Sequence, residues 1–183
     1  MKLKDEEIIL LMSKASTSEK GLRLLMNTYQ SRLYLHIRRL IMQHDVAQDI
    51  LQITFIKAYQ NFNQFKQDSQ LYTWLYRIAT NEALQQLAKI KKMQKTDDEA
   101  EKHLQNLVTE NADYEAEEIQ IVLQQAIQTL PEKQKLVFNI RYYDELPFEE
   151  ISKILSMSVS TCKTNYHYAK QKIEQYIRNI NEA

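Results

Sequence analysis

With 183 residues the chain suffices for one or two small domains, and one Gly and two Pro against abundant Leu, Ile, Gln, Lys and Glu predict an almost purely helical protein. A single glycine excludes the glycine-rich loops of nucleotide-binding enzymes, and a single cysteine excludes an internal disulfide and fits a reducing cytoplasm. Lys plus Arg and Asp plus Glu number 24 each, so the net charge is zero, which argues against a simple nucleic-acid binder unless the charge is unevenly spread.

At the N-terminus, MKLKDEEIILLMSK carries acidic residues where a secretory leader needs basic ones. No apolar run approaches the ~18 residues that a membrane span needs. Asp5 to Ser13 reads as a first amphipathic helix, with Ile8, Ile9, Leu11 and Met12 apolar. Ser16 and Glu19 resemble a capping box. The helix they start is expected to run to about Tyr29 despite Gly21, with Leu22, Leu25 and Met26 inward. A third helix spans Ser31 to Met42, with Leu33, Tyr34, Ile37 and Ile41 inward and Arg32, Arg38 and Arg39 outward. His44 falls at the following turn. Asp45, with Gln48 three positions on, opens a helix carried to about Asn61 by Val46, Ile50, Ile53 and either Ile56 or Lys57. Asp49, Gln52, Thr54 and Lys57 are left for a second surface.

The polar loop NFNQFKQDSQ holds two Phe residues. They are either core or a platform on which bases stack. Ser69 or Asp68 caps the next helix, LYTWLYRIATNEALQQLAKIKK. Its inner stripe is Leu71, Trp74 or Leu75, Ile78 and Leu84, and Tyr72, Tyr76, Arg77 and Asn81 project elsewhere. It ends in a basic cluster of Lys89, Lys91, Lys92 and Lys95. Aromatic rings interleaved with cations suit single-stranded nucleic acid, although Trp74 reads equally as core.

The charge is indeed uneven. Residues 1–93 hold fourteen basic and eight acidic residues, a balance of +6. Residues 94–118 hold two and nine, a balance of −7, and residues 119–183 hold eight and seven, a balance of +1. A basic N-terminal part suggests a polyanionic partner. The acidic stretch reads as a linker, either a plain tether or a strand able to occupy a channel built for nucleic acid.

Ile119 to Thr129 forms a helix, and Pro131 opens another with Leu136, Val137, Ile140 and Tyr143 inward. Pro147 suits a first helical position, followed by Phe148, Ile151 and Leu155 at helical spacing. Ser156-Met157-Ser158 breaks that pattern, and Ser158 is placed to cap the last helix. Val159, Cys162, Tyr166, Ala169 and Ile173 form its buried stripe, so Cys162 reads as core. Thr161, Lys163, Thr164, Asn165, His167, Tyr168 and Lys170 form its outer face. Two helices, a tight turn and a polar, basic outer face make a helix-turn-helix that fits a DNA major groove; the alternative is a surface hairpin with a solvated face. Ile173, Tyr176, Ile177 and Ile180 extend the helix. The fold class is all-α: two small helical domains joined by an acidic linker.

Several stretches together resemble the extracytoplasmic-function (ECF) group of bacterial RNA polymerase sigma factors, in the sigma-70 family. DVAQDILQITFIKAYQNF and TWLYRIATNEAL are similar to the family's region two, and LPEKQKLVFNIRYYDELPFEEISKILSMSVSTCKTNYHYAKQKI is similar to its region four. The resemblance implies a region-two module at 1–93, a linker at 94–118 and a region-four module at 119–183. It implies that Asp45, Asp49, Gln52 and Phe55 lie in the helix that docks on core RNA polymerase. Asn61, Phe62, Asn63, Phe65, Lys66 and Ser69 fall in the loop that captures an unstacked minus-ten base. Tyr72, Trp74, Arg77 and Asn81 lie along the strand-opening helix. Thr161, Lys163, Thr164, Asn165, Tyr168 and Lys170 fall on the face that reads promoter DNA at minus thirty-five. It further implies no cofactor and no catalysis, a cytoplasmic location without membrane insertion, and an anti-sigma factor as partner.

The sequence also departs from the family pattern. The family often has Arg at Asn165 and Tyr168, Gly at Ser156, Asp or Asn at Gln85, and Val at Cys162. The rival readings are a stand-alone helix-turn-helix regulator, for which no heptad dimer seam is evident, and a metal-bundle enzyme. None of His36, His44, His103 and His167 has the Glu three residues earlier that such a bundle needs.

Overall fold

The computed structural model describes residues 2–94 and 116–181, with side chains described for 4–93 and 120–180. Among these residues there are eight α-helices and no strand: α1 (Lys2–Met12), α2 (Ser18–Leu40), α3 (His44–Gln60), α4 (Leu71–Gln94), α5 (Ala116–Gln128), α6 (Glu132–Tyr142), α7 (Phe148–Leu155) and α8 (Val159–Asn181). A single 3₁₀ turn, Phe62–Gln64, follows α3. The all-α expectation is met. Lys95, His103 and nearly all of the acidic linker lie outside the described residues. The chain divides into two compact units, one of Met1–Ala88 with Lys153–Ser156, the other of Lys89–Ser152 with Met157–Ala183.

The first unit is built around α2. This helix runs unbroken for 23 residues, where the sequence reading divided it near Gln30. The reason is visible in its buried stripe. Leu25, Tyr29, Leu33 and Ile37 keep a strict i, i+4 spacing straight through the polar Gln30-Ser31 step, and neither residue breaks a helix. Helix α1 packs against α2, and Gly21 lies against the end of α1. A Cβ built there would lie 2.6 Å from Met12 Cγ and 2.9 Å from the Met12 backbone nitrogen. The only glycine of the chain is thus a packing residue. Asp5 of α1 is buried and accepts a hydrogen bond from the Tyr29 hydroxyl of α2. Burial, then this bond to the carboxylate, raise the Tyr29 phenol well above its usual range.

Neither expected capping box forms. Thr17 stands at the start of α2, and its hydroxyl turns back to donate to the Leu11 carbonyl at 2.8 Å. Gln43 precedes α3 and makes no side-chain cap bond. The face that α3 buries is also rotated from the expected one. Ala47, Ile50, Thr54, Phe55 and Ala58 are buried, whereas Ile53 and Ile56 are exposed. Small side chains let α3 lie close to α2, and the Thr54 hydroxyl is satisfied within its own helix by the Ile50 carbonyl at 2.7 Å. In α4, Tyr76 was expected to project outward but is buried at 1 % exposure. Its ring lies 4.7 Å from that of His36, whose Nε2 is in turn 2.9 Å from Thr80 Oγ1. A polar knot therefore ties α2 to α4.

The second unit centres on Ala126, Ile127, Leu130, Phe138, Ala169 and Ile173, contributed by α5, the turn after it, α6 and α8. Leu136, Val137 and Ile140 of α6 are buried as expected, and Tyr143 is half-buried. Pro131 and Pro147 each sit one residue ahead of a helix, where a missing N–H costs nothing.

Candidate nucleic-acid interfaces

In the first unit, Asp45, Asp49 and Gln52 are exposed on α3. Phe55, placed by the resemblance in the same helix with half-core as its alternative, is a core residue at 4 % exposure. Its ring instead takes part in a mainly apolar groove with Leu22, Met26, Leu51, Ile56 and Tyr59, rimmed by Gln52. Met26 was expected inward, yet it is partly exposed on this groove. Lys57, expected on the second surface, reaches across to Glu82 on α4 at 2.5 Å. Thr54 leaves that surface entirely because it is buried.

After α3 the chain turns through Phe62–Gln64 and positions two aromatic residues against α4. The rings of Phe62, Phe65 and Trp74 form a triad with centroids 5.2 to 6.0 Å apart. All three are half-buried, so each packs with its neighbours and keeps an accessible part. The two readings left open for these rings are therefore compatible: a ring held by one face offers the rest for stacking. The loop is pinned by polar bonds. Asn61 Nδ2 donates to the Lys57 carbonyl at 2.9 Å, and Gln64 Nε2 donates to Asn61 Oδ1 at 3.1 Å. Gln67 adopts φ 59°, a left-handed turn conformation. Asn63 and Lys66 are exposed and Ser69 is half-buried. On α4, Arg77 and Asn81 are exposed and Tyr72 is half-buried. Spacings of three and four put Trp74, Arg77 and Asn81 along one side of that helix.

A hollow beside this loop was not legible in the sequence. Phe62, Asn63, Phe65 and Gln67 line it together with Ile9, Met12 and Ser13 from the first helix and its end, and Ser18, Tyr59 and Gln60. The one signal pointing to it was Gly21, which lets α1 approach closely enough to supply a wall.

Helices α7 and α8 form the helix-turn-helix. Ser156 takes φ 53° in the turn, the conformation for which glycine is the usual choice. Ser152 Oγ donates to the Met157 carbonyl at 2.5 Å and closes the turn. Ser158 caps α8 as expected: its Oγ accepts the Thr161 N–H at 3.0 Å. Cys162, Ala169 and Ile173 are buried and Val159 and Tyr166 half-buried, so the inner stripe is the expected one. Burial pushes the Cys162 thiol up, which makes it a core residue and a poor nucleophile. Tyr166 sets the pose of α8. Its ring stacks on Phe138 of α6 at 5.8 Å and meets Phe148 of α7 edge-on at 5.7 Å. The Arg141 guanidinium lies 5.1 Å from the centre of the Phe148 ring and donates to the Leu146 carbonyl at 2.9 Å.

The outward face of α8 carries exposed Thr161, Lys163, Thr164, His167, Tyr168 and Lys170, with Asn165 half-exposed among them. Hydroxyl, amide, ammonium and phenol groups on one helix are of the kind that can hydrogen-bond base edges and neutralise phosphates. Among the described residues no group of His, Cys, Asp or Glu is placed to hold a metal ion, and no helix is long and apolar enough to cross a membrane.

Residues 25–93 match the family Sigma-70 region 2, and residues 120–173 match Sigma-70, region 4. The ECF RNA polymerase sigma-E factor of Haemophilus influenzae is 30% identical over 171 residues, covering 88% of this chain and 90% of that protein. The ECF RNA polymerase sigma factor SigW of Bacillus subtilis is 30% identical over 166 residues, covering 85% and 88%. Among solved structures, the sigma factor RpoE in complex with the anti-sigma factor NepR from Bartonella quintana aligns with a TM-score of 0.71 at 21% identity, over 87% of this chain and 98% of that one. CnrH in complex with the cytosolic domain of CnrY aligns with a TM-score of 0.69 at 15% identity, over 96% and 98%. With two family regions matched in order and full-length relatives at this identity, the chain belongs to the ECF sigma factors of the sigma-70 family.

Proposed function

We propose that this chain directs core RNA polymerase to specific promoters through a division of labour among three surfaces, without catalysing a reaction itself. Residues 1–93 act as region two, 94–118 as the link and 119–183 as region four. Asp45, Asp49 and Gln52 on α3 bind the polymerase, and the adjoining groove floored by Phe55 adds apolar area to that contact. The loop residues Asn61, Phe62, Asn63, Phe65, Lys66 and Ser69 capture a base flipped from the minus-ten region. Tyr72, Trp74, Arg77 and Asn81 hold the separating strand. Unstacking a base costs a few kcal/mol, and capture on an aromatic surface returns ~1–3 kcal/mol, so melting and selection occur in one step. On α8, Thr161, Lys163, Thr164, Asn165, Tyr168 and Lys170 read the minus-thirty-five duplex.

The observation that carries this reading is the pairing of a half-buried Phe62–Phe65–Trp74 triad with a capped helix whose outer face is polar. The first suits unpaired bases and the second suits a duplex. Zero net charge fits a protein that grips DNA weakly alone and firmly once polymerase holds it in place. Such work is cytoplasmic. One relative in fold was solved bound to an anti-sigma factor, which supports an inhibitory partner of that kind here.

The test is binding to core polymerase followed by run-off transcription on promoter templates. Asp49→Ala weakens polymerase binding, whereas Lys163→Ala leaves it intact and lowers promoter use. Equal behaviour of the two variants defeats the division of labour. A footprint on promoter DNA by the chain without polymerase favours the stand-alone regulator instead.

A further inference from the structure

One group on the reading face is already partly committed before DNA arrives. Asn165 Nδ2 donates to the Thr161 carbonyl at 2.9 Å. Only the nitrogen end of an amide donates, so this bond fixes which way the side chain points. What remains is one N–H on Nδ2 and the acceptor Oδ1, side by side. Two nearby hydroxyls are engaged elsewhere. Ser158 Oγ and Thr161 Oγ1 are bonded to each other at 2.7 Å, and Ser158 Oγ also accepts the Thr161 N–H. Asn165 is half-exposed and lies along the same side of α8 as Thr161 and the exposed Tyr168, at spacings of four and three.

In the major groove, adenine alone offers a donor (N6) next to an acceptor (N7) on one base edge. Guanine presents two acceptors, which would set O6 against Oδ1. Cytosine offers a donor only and thymine an acceptor only, so each satisfies one of the two groups. We propose that Asn165 is a specificity-determining residue of the reading helix and selects an adenine at one position of the upstream promoter duplex. This rests on the reading of α8 as the minus-thirty-five helix. The Thr161 carbonyl acts as the positioning group: it holds the amide in the pose that matches adenine, so the residue is pre-set before binding. An arginine at the same place would present donors only and would match guanine.

The test uses the full chain with core polymerase on a promoter library randomised across the upstream duplex, with transcripts counted by sequencing. The expected result is adenine enriched at one position by about tenfold or more, the range for a bidentate pair. Asn165→Ala abolishes the preference at that position and keeps the preferences elsewhere, which also shows that the variant is folded and polymerase-bound. Asn165→Arg moves the preference there to guanine. The inference is overturned if Asn165→Ala leaves every preference intact, or if the position it affects prefers guanine, cytosine or thymine. Transcription without any upstream preference would instead sink the assignment of α8 as the reading helix, and this inference with it.

Discussion

Gly21→Ala is the sharpest test of how the first unit is assembled. On propensity alone the change should help, because alanine is favoured over glycine in a helix interior by ~1 kcal/mol. The packing opposes it. The new methyl would lie 2.6 Å from Met12 Cγ, 2.9 Å from Met12 N and 3.0 Å from Leu11 Cβ. The Met12 side chain can swing aside, but its backbone nitrogen moves only if α1 moves. Overpacking of this kind costs ~1–3 kcal/mol, so the net is a loss of up to about 2 kcal/mol. Gly21→Val adds bulk and a β-branch to the same clash and should lose more. Trp74 is the only tryptophan of the chain and belongs to the first unit, so its fluorescence during urea unfolding reports that unit selectively. The expected outcome is a lower midpoint with Gly21→Ala, lower still with Gly21→Val. A midpoint raised by alanine would mean that propensity wins, that α1 does not lie against Gly21, and that the hollow walled by Ile9 and Met12 is wrongly drawn.

Other outcomes follow from single contacts. Ser156→Gly relieves a left-handed residue at φ 53° and should raise stability by roughly 1 kcal/mol, read as a higher melting temperature by circular dichroism. Phe62→Ala removes one ring of the loop triad; polymerase binding should persist while permanganate reactivity of promoter thymines falls about tenfold or more, in line with a lost stacking contact. Tyr29→Phe leaves the buried Asp5 carboxylate without its hydroxyl donor and should cost about 1–3 kcal/mol. The same pair sets an alkaline limit. Unfolded tyrosine ionises near 10 while folded Tyr29 keeps its proton, so the unfolded state binds fewer protons and stability falls as pH rises above ~10. Tyr29→Phe should make that fall shallower in urea titrations at pH 9 to 11.

The parts legible in the sequence are those fixed by one element at a time. The stripe Val159, Cys162, Tyr166, Ala169 and Ile173 has one partner face and a start signal in Ser158, and the structure has both. The misreadings involve partners distant along the chain. Tyr76 is buried against His36, forty residues earlier, with ring centres 4.7 Å apart, and no periodicity within α4 announces that. In α3, hydropathy favoured Ile53 and Ile56, but the contact with α2 selects the small residues Ala47 and Ala58 and a self-satisfied Thr54. The displaced isoleucines then help to leave Met26, Ile56 and Tyr59 around an open apolar groove. A surface that looks like a patterning error is thus the one assigned above, as a proposal, to the polymerase contact.

The upstream contact follows a similar logic in its charges. Of the residues assigned to the reading face of α8, only Lys163 and Lys170 are cations, and each neutralised phosphate contributes about −0.9 to the slope of log affinity against log salt. Two such contacts give a slope near −2, far short of what holds a repressor on DNA unaided. If α8 reads the duplex as proposed, discrimination on this face comes from oriented hydrogen bonds more than from charge. Asn165, tied to Thr161 at 2.9 Å, is one group on this face that is oriented in advance. Affinity is left to the polymerase, which holds both DNA-facing surfaces on one promoter. A helix poor in arginine is then no defect: it lowers the hold on random DNA, where charge counts most, and keeps the part of recognition that depends on base identity.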